Sequence, residues 1–271
     1  MSARIKSDKI KIISIVLLAT ITILLSWFII HTLTANVESS AWNGVVASSF
    51  KSGTGTQNNP YVISSSSEFA YLKQLLESDN AILYSNKNYV ITTSLNYGNH
   101  NLSINNQIPF SGTINGEGNY ISNASMTNSL FRELQNATIQ NLGFTNINYT
   151  LSEEQSGFIA NNINSSTIDM MVVNSNITKS NASYIFSGIT PSSNNSTYNK
   201  IVLNNKYAAN YGATSVYNVA QSSSNDNYTN VVTNPTSYNN FSDASYQINT
   251  FTVNGNNIYY SKLSSLSNSD Y

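Results

Sequence analysis

Hydrophobic positions along the 271-residue chain fall into three textures. The first is continuous. Ile12 to Ile30 reads IISIVLLATITILLSWFII, nineteen positions without a charged side chain. At about 1.5 Å of rise per residue a helix of that length roughly spans the ~30 Å hydrocarbon core of a bilayer. The pattern predicts a transmembrane helix or signal anchor over residues 12–31, with Ile12, Val16, Leu17, Leu24, Trp27 and Ile30 in the membrane. Trp27 sits near the outer end, where an indole favours the headgroup layer. Arg4, Lys6, Lys9 and Lys11 make residues 1–11 a basic tail, which is retained in the cytoplasm and sends everything after His31 outside. Leu33-Thr34-Ala35 and Val37-Glu38-Ser39 are passable cleavage sites, so a removed secretory signal with a secreted product stands beside the anchor.

The second texture is helical. Residues 32–41 read as a short polar stalk, and a Gly-rich loop follows from Trp42 to Tyr61-Val62-Ile63. Ser65-Ser66-Ser67-Glu68 fits a capping box, in which the Ser65 hydroxyl and the Glu68 carboxylate each satisfy a free N–H. Phe69, Leu72, Leu75 and Leu76 recur at helical spacing, which predicts an amphipathic helix over 66–78.

The third texture is short, β-prone and repeated. Val90 to Leu95 and Phe110 to Ile114 are early runs, Asn115 to Asn119 supplies a turn, and Gly112, Gly116 and Gly118 read as structural turn glycines. Ala137-Thr138-Ile139-Gln140-Asn141-Leu142-Gly143-Phe144 then recurs as Ser166 to Val173 and again as Ser196 to Leu203. A second series pairs Ser129-Leu130-Phe131 with Gly157-Phe158-Ile159 and Tyr184-Ile185-Phe186. Periods of roughly 20–50 residues mark solenoids, whose units bury their apolar faces only against neighbours. Two strands per unit, β-branched residues and Asn-rich corners predict a parallel β-helix over 42–208, its first coil covered by the 66–78 helix. Asn side chains at the corners are placed to bond along the axis. Residues 209–271 read as a degraded last coil with a loop at 221–230, a hairpin from Gln247 to Tyr260 around Gly255, and a frayed tail.

Charge and composition narrow the function. Only 9% of residues are charged, against about 25% in ordinary soluble domains. Asn, Ser, Thr and Tyr replace them, giving a surface solvated by amides and hydroxyls. Cysteine is absent, so an extracellular domain here rests on core packing and hydrogen-bond ladders. Beyond the basic tail the cations are scattered and outnumbered by carboxylates, which excludes the basic stripe a nucleic-acid partner requires.

Candidate chemistry is sparse. Arg132, Glu133, Glu153 and Glu154 are the charges a polysaccharide lyase or hydrolase would have to use, since such reactions need clustered carboxylates or a base beside a cation. Their spacing equally fits solvated surface charges. His100, in Asn99-His100-Asn101, is the one histidine beyond the membrane segment and reads as an exposed turn residue. With no second histidine and no cysteine, neither a transition-metal cluster nor a nucleophile triad can be assembled, and no cofactor is expected. Tyrosine offers a binding surface instead. Tyr120, Tyr149, Tyr184 and Tyr198 are the candidate ligand face, and half-buried packing against the solenoid is the competing reading. Sequons open at Asn101, Asn123, Asn136 and Asn148 among others, making the chain a candidate glycoprotein in a host with that machinery.

Three segments carry a family resemblance: Trp42-Asn43-Gly44 with Gly53-Thr54-Gly55-Thr56, Asn59 to Ile63 and Phe69-Ala70-Tyr71-Leu72; Phe110 to Asn123; and Ala137 to Gly143. They resemble bacterial and archaeal surface proteins that carry GLUG-type repeats. The repeat that names the family is reduced here to Gly157-Phe158-Ile159-Ala160 and Ile185-Phe186-Ser187-Gly188, which leaves the number of regular coils open. The resemblance implies a right-handed, pectin-lyase-like solenoid, an envelope location, and adhesive or scaffolding work without shared chemistry. The expectation is an all-β chain: a short right-handed parallel β-helix with a capping α-helix, preceded by one transmembrane helix. The expected function is non-catalytic binding of envelope or neighbouring-cell glycans or proteins. A polysaccharide-active enzyme and a subunit of a surface filament or viral spike are the alternatives. Expected partners are the membrane through the N-terminal helix, and polysaccharide or surface proteins. Nucleic acid is excluded, and an oligomer would form through the edge of the C-terminal coil.

Overall fold

The computed structural model describes residues 37–38, 40–181, 183–207, 216–217, 219–233, 248–253 and 256–261. Among them no helix is long and apolar enough to cross a membrane, and the segment read as the anchor lies outside them. The chain is described from Val37 as one compact unit.

Strand β1 (Tyr61–Ile63) leads into helix α1 (Ser66–Leu76) and the short helix α2 (Ala81–Tyr84). About five turns of a parallel β-solenoid follow. The first turn carries β2 (Asn88–Ile91) and β3 (Leu95–Asn96), and the second β4 (Thr113–Asn115), β5 (Tyr120–Met126) and β6 (Phe131–Gln135). In the third are β7 (Thr138–Leu151), β8 (Gln155–Gly157) and β9 (Ala160–Asn164), and in the fourth β10 (Thr167–Lys179), β11 (Ile185–Ser187) and β12 (Thr190–Asn194). The fifth holds β13 (Thr197–Tyr207), β14 (Val216–Tyr217) and β15 (Ala220–Ser224), and β16 (Asn227–Thr233) begins the next. Strands β17 (Ile248–Val253) and β18 (Asn256–Ser261) form an antiparallel hairpin.

Stacking follows the repeat. Along β1-β2-β4-β7-β10-β13-β16 the residues Tyr61, Tyr89, Ile114, Ile139, Ile168, Tyr198 and Tyr228 lie over one another. The first repeat series of the sequence is this register: Ala137 to Phe144 stands beneath Ser166 to Val173, and that beneath Ser196 to Leu203. The second series is corrected. Gly157 faces Ser187, not Tyr184, because the loop from Leu151 to Gln155 is shorter than its counterpart in the next turn. The segment 221–230, read as loop, is mostly strand: β15 and β16 run through it and keep the stack.

Corners are made by single left-handed residues. Asn136, Ser165, Asn195 and Asn225 hold positive φ before the long strands, and Asn141, Met170 and Lys200 bend them. Asn is the non-glycine residue that tolerates this region best, since its short amide bonds locally. The amides also bond between turns, as the sequence predicts. Asn141 Nδ2 donates to Asn115 Oδ1 at 3.1 Å, Asn123 Nδ2 to Asn96 Oδ1 at 3.0 Å, and Asn176 Nδ2 to Asn148 Oδ1 at 3.1 Å.

Inside, aromatic rings pack turn on turn: Phe110 stacks on Phe131 at 5.2 Å and Tyr149 meets Phe186 edge-on at 5.3 Å. Helix α1 seals the first turn by sinking Phe69, Leu72 and Leu76 into the same core. Its N-cap is Ser65, whose hydroxyl accepts from Glu68 N, while the Glu68 carboxylate accepts from Ser64 N at 2.6 Å, one residue earlier than a simple capping box. A second carboxylate, from Glu38, accepts from Ser66 N at 3.2 Å and from Asn96 N at 3.0 Å. It ties the incoming chain to both the helix N-terminus, where negative charge is favoured, and β3. At the far side β18 crosses the outer face of β7, β10 and β13. Val172 and Val202 point to that face, since their neighbours Met171, Val173, Ile201 and Leu203 all point into the core, yet they are only 7% and 3% exposed.

Candidate functional site: an axial groove

Three hollows line up along one side of the solenoid. The leading one, about 620 Å³, lies between the loop from Trp42 and helix α1. Its aromatic floor is a cluster in which the Trp42 ring lies 4.7 Å from Tyr97 and 4.7 Å from His100. The cluster is built by backbone bonds: Trp42 N donates to Asn96 O at 2.9 Å, and Trp42 Nε1 to Val45 O at 2.7 Å. Gly98 allows the approach. It has φ +61, and a Cβ there would stand 2.3 Å from Trp42 O. Burial, with the Glu77 charge behind it, pushes the Tyr97 phenol above its ordinary value and keeps it protonated.

The middle hollow, about 350 Å³, shares Lys73, Glu77 and Asn101 with the first. Lys73 and Glu77, one turn apart on α1, form an ion pair of 2.7 Å, and the same ammonium donates to Ser103 O. Arg132, Glu153, Asn128 and Asn161 complete this hollow. Asn161 is held from beneath. Its Oδ1 accepts from Ser129 Oγ at 2.6 Å and from Ser156 Oγ at 3.0 Å, and Ser156 also bonds the Tyr149 hydroxyl at 2.7 Å. With its oxygen so fixed, the amide turns Nδ2 outward, where it reaches Glu153 Oε2 at 3.4 Å. The outermost hollow, about 880 Å³, shares Glu153 and Asn161 with the middle one and continues past Asn162, Ser192 and Gln221 on the third, fourth and fifth turns.

The three are therefore one groove that crosses successive turns. Amides and hydroxyls line its middle and outer hollows beside Arg132, Glu153 and Glu154, the Lys73–Glu77 charges are paired, and the leading hollow is largely apolar with aromatic rings. Amides and hydroxyls of this kind suit hydroxyl-rich ligands, and aromatic rings suit the C–H face of a sugar. Among the described residues no group of three or more His, Asp or Glu side chains is placed to hold a metal.

The residues picked from sequence are distributed differently. Tyr149 and Tyr198 are fully buried in the core, bonded to Ser156 and Ser193, and belong to no exposed face. Parity puts them there: Tyr149 shares the inward face with Ile147 and Leu151, and Tyr198 stacks on Ile168. Tyr120 and Tyr184 are half-buried on separate turns, and neither lines these three hollows. Gly118 has positive φ in the predicted turn, whereas Gly112 and Gly116 are required by close approach, a Cβ meeting Lys87 O at 2.0 Å and Asn141 O at 2.3 Å. Arg132 and Glu153 come together in the middle hollow, Glu154 reaches only the outer one, and Glu133 reaches neither. His100 is not a free turn residue; it packs on Trp42. The membrane positions Ile12, Val16, Leu17, Leu24, Trp27 and Ile30 lie outside the described residues.

Trp42 and Tyr97 were missed as site residues. The signal was the pair Trp42-Asn43-Gly44 and Tyr97-Gly98, an aromatic beside a flexible glycine in two loops of the same end.

Compared with protein-family models, curated proteins and solved structures, the chain finds no match.

Proposed function

We propose that the protein is an extracytoplasmic surface protein, held at the cell membrane by its N-terminal segment, that binds polysaccharide along the axial groove without cleaving it. Its work on that reading is adhesive or structural, toward the envelope or a neighbouring cell. The observation that carries the reading is the continuity of the groove: three hollows share lining residues and cross successive turns, so the surface fits a chain rather than a small molecule. The apolar run at 12–30, its basic flank and the GLUG-type segments support the location, and the right-handed coil implied by those segments belongs to the same reading.

A second reading has one observation in its favour. Arg132, Glu77 and Glu153 line the same hollow, the charges a lyase or hydrolase would need. The test is incubation of the full-length protein, in detergent, with a panel of envelope and extracellular polysaccharides. Retention on the glycan without soluble fragments is the expected result, with Asn161→Ala weakening it. Fragment release that Glu153→Gln abolishes would replace binding by catalysis. Absence of both would turn the search to protein partners.

A further inference from the structure

We infer that the leading hollow is a subsite for an N-acetylated hexosamine, seating one sugar of the chain that occupies the groove. The inference rests on the polysaccharide reading above and names its ligand class. An N-acetylhexosamine presents a C–H face, hydroxyl edges, and an acetamido group that combines a methyl with an amide. The hollow offers a counterpart to each.

Trp42 supplies the aromatic surface, held at 4.7 Å from both Tyr97 and His100, so the ring is set before any ligand arrives. Val46 lines the hollow, is 40% exposed and lies outside the core cluster, so it leaves apolar surface on which a methyl group can rest. Gln74, exposed on α1 at the rim, brings a side-chain amide to pair with the acetamido group. The charges argue against an acidic sugar. A uronate needs a free cation, and Lys73 here is already engaged by Glu77 at 2.7 Å and by Ser103 O. A hydrophobic contact worth one methyl group discriminates by about tenfold or more, which sets the scale of the expected preference.

The experiment compares β-1,4-linked hexamers of N-acetylglucosamine and of glucose, titrated into the full-length protein in detergent. The expected result is at least about tenfold tighter binding of the acetylated hexamer. Val46→Asn, a surface change that leaves the core alone, brings the affinity for the acetylated hexamer down to that for the glucose hexamer; Trp42→Ala weakens both sugars. Asn161→Ala, in the middle hollow, weakens both without changing their ratio. Equal affinity for the two hexamers, or a preference untouched by Val46→Asn, overturns the subsite and leaves the groove reading standing. Binding of neither hexamer overturns the subsite, and failure to bind any polysaccharide of the panel overturns the groove reading as well.

Discussion

The hydroxyl of Tyr198 lies 2.6 Å from that of Ser193 in the interior of the solenoid, across the Asn195 corner. One turn earlier the same two stacked positions hold Ile168 and Ile163, and one turn later Tyr228 bonds Ser223 at 3.0 Å. The interior has exchanged two mid-sized aliphatic side chains for one large and one small, and the small one carries the partner that the phenol requires. Volume and hydrogen bonding change together.

Tyr198→Phe therefore leaves a buried serine hydroxyl without its partner and costs about 1–3 kcal/mol. Ser193→Ala costs a similar amount by stranding the phenol. The pair Tyr198→Ile with Ser193→Ile rebuilds the preceding turn and stays within about 1.5 kcal/mol of the parent. Urea unfolding of the four proteins measures this, and a Tyr198→Phe midpoint equal to the parent's would refute the coupling.

Gly116 has no room for a side chain, since a Cβ would meet Asn141 O at 2.3 Å, in the backbone of the next turn. Gly116→Ala is expected to separate the second and third turns and to cost about 2–3 kcal/mol or more. Thermal unfolding checks it. An unchanged melting temperature would mean that the close approach does not exist in solution.

The hairpin β17–β18 is expected to shield the face it lies beside. A chain ending at Thr233 should expose Val172 and Val202, bind an environment-sensitive apolar dye and self-associate. Val172→Ser with Val202→Ser in the shortened chain should reverse both effects. Light scattering indistinguishable between the shortened and complete proteins would show that the hairpin does not cover these valines.

Alkali should weaken the fold. Burial raises the phenols of Tyr89, Tyr97, Tyr149 and Tyr198 above the value of 10.0 that they regain on unfolding. Above that pH the unfolded chain binds fewer protons than the folded one, so stability is complete below about pH 10 and falls as pH rises, by roughly 1.4 kcal/mol per unit for each such tyrosine. Lys179 acts in the opposite sense. Burial lowers its folded pKa below 10.5, so between the two values deprotonation favours the fold. Urea midpoints from pH 8 to 12 should fall steeply past pH 10, and Tyr149→Phe should flatten that slope by one tyrosine's share. A flat profile to pH 12 would contradict the burial.

The solenoid was legible because its first repeat series is a strand whose inward positions, Ile139, Ile168 and Tyr198, recur without insertion. The second series slid by three residues because Tyr184-Ile185-Phe186 has the same apolar texture as the segment it was matched to, while the loop before it is longer. The groove was hidden for a different reason. Its residues come from α1 and from several turns, and Asn, Ser and Gln are so common in this chain that none of them stands out. Tyr149 and Tyr198 misled because a tyrosine suits a wet face or a dry core with a hydroxyl partner, and the partners, Ser156 and Ser193, lie seven and five residues away. The Glu38 cap was out of reach, since Ser66 and Asn96 meet it only after the chain has closed its first turn.

The corners at Asn136, Ser165, Asn195 and Asn225 share one left-handed backbone state. Each is thus an interchangeable joint. A whole turn cut out between two of them, or copied in, rejoins the chain with the same geometry and shifts the groove's length by one strand spacing, about 4.8 Å. Those four residues let the groove be lengthened or shortened in steps of fixed size, without designing a new fold.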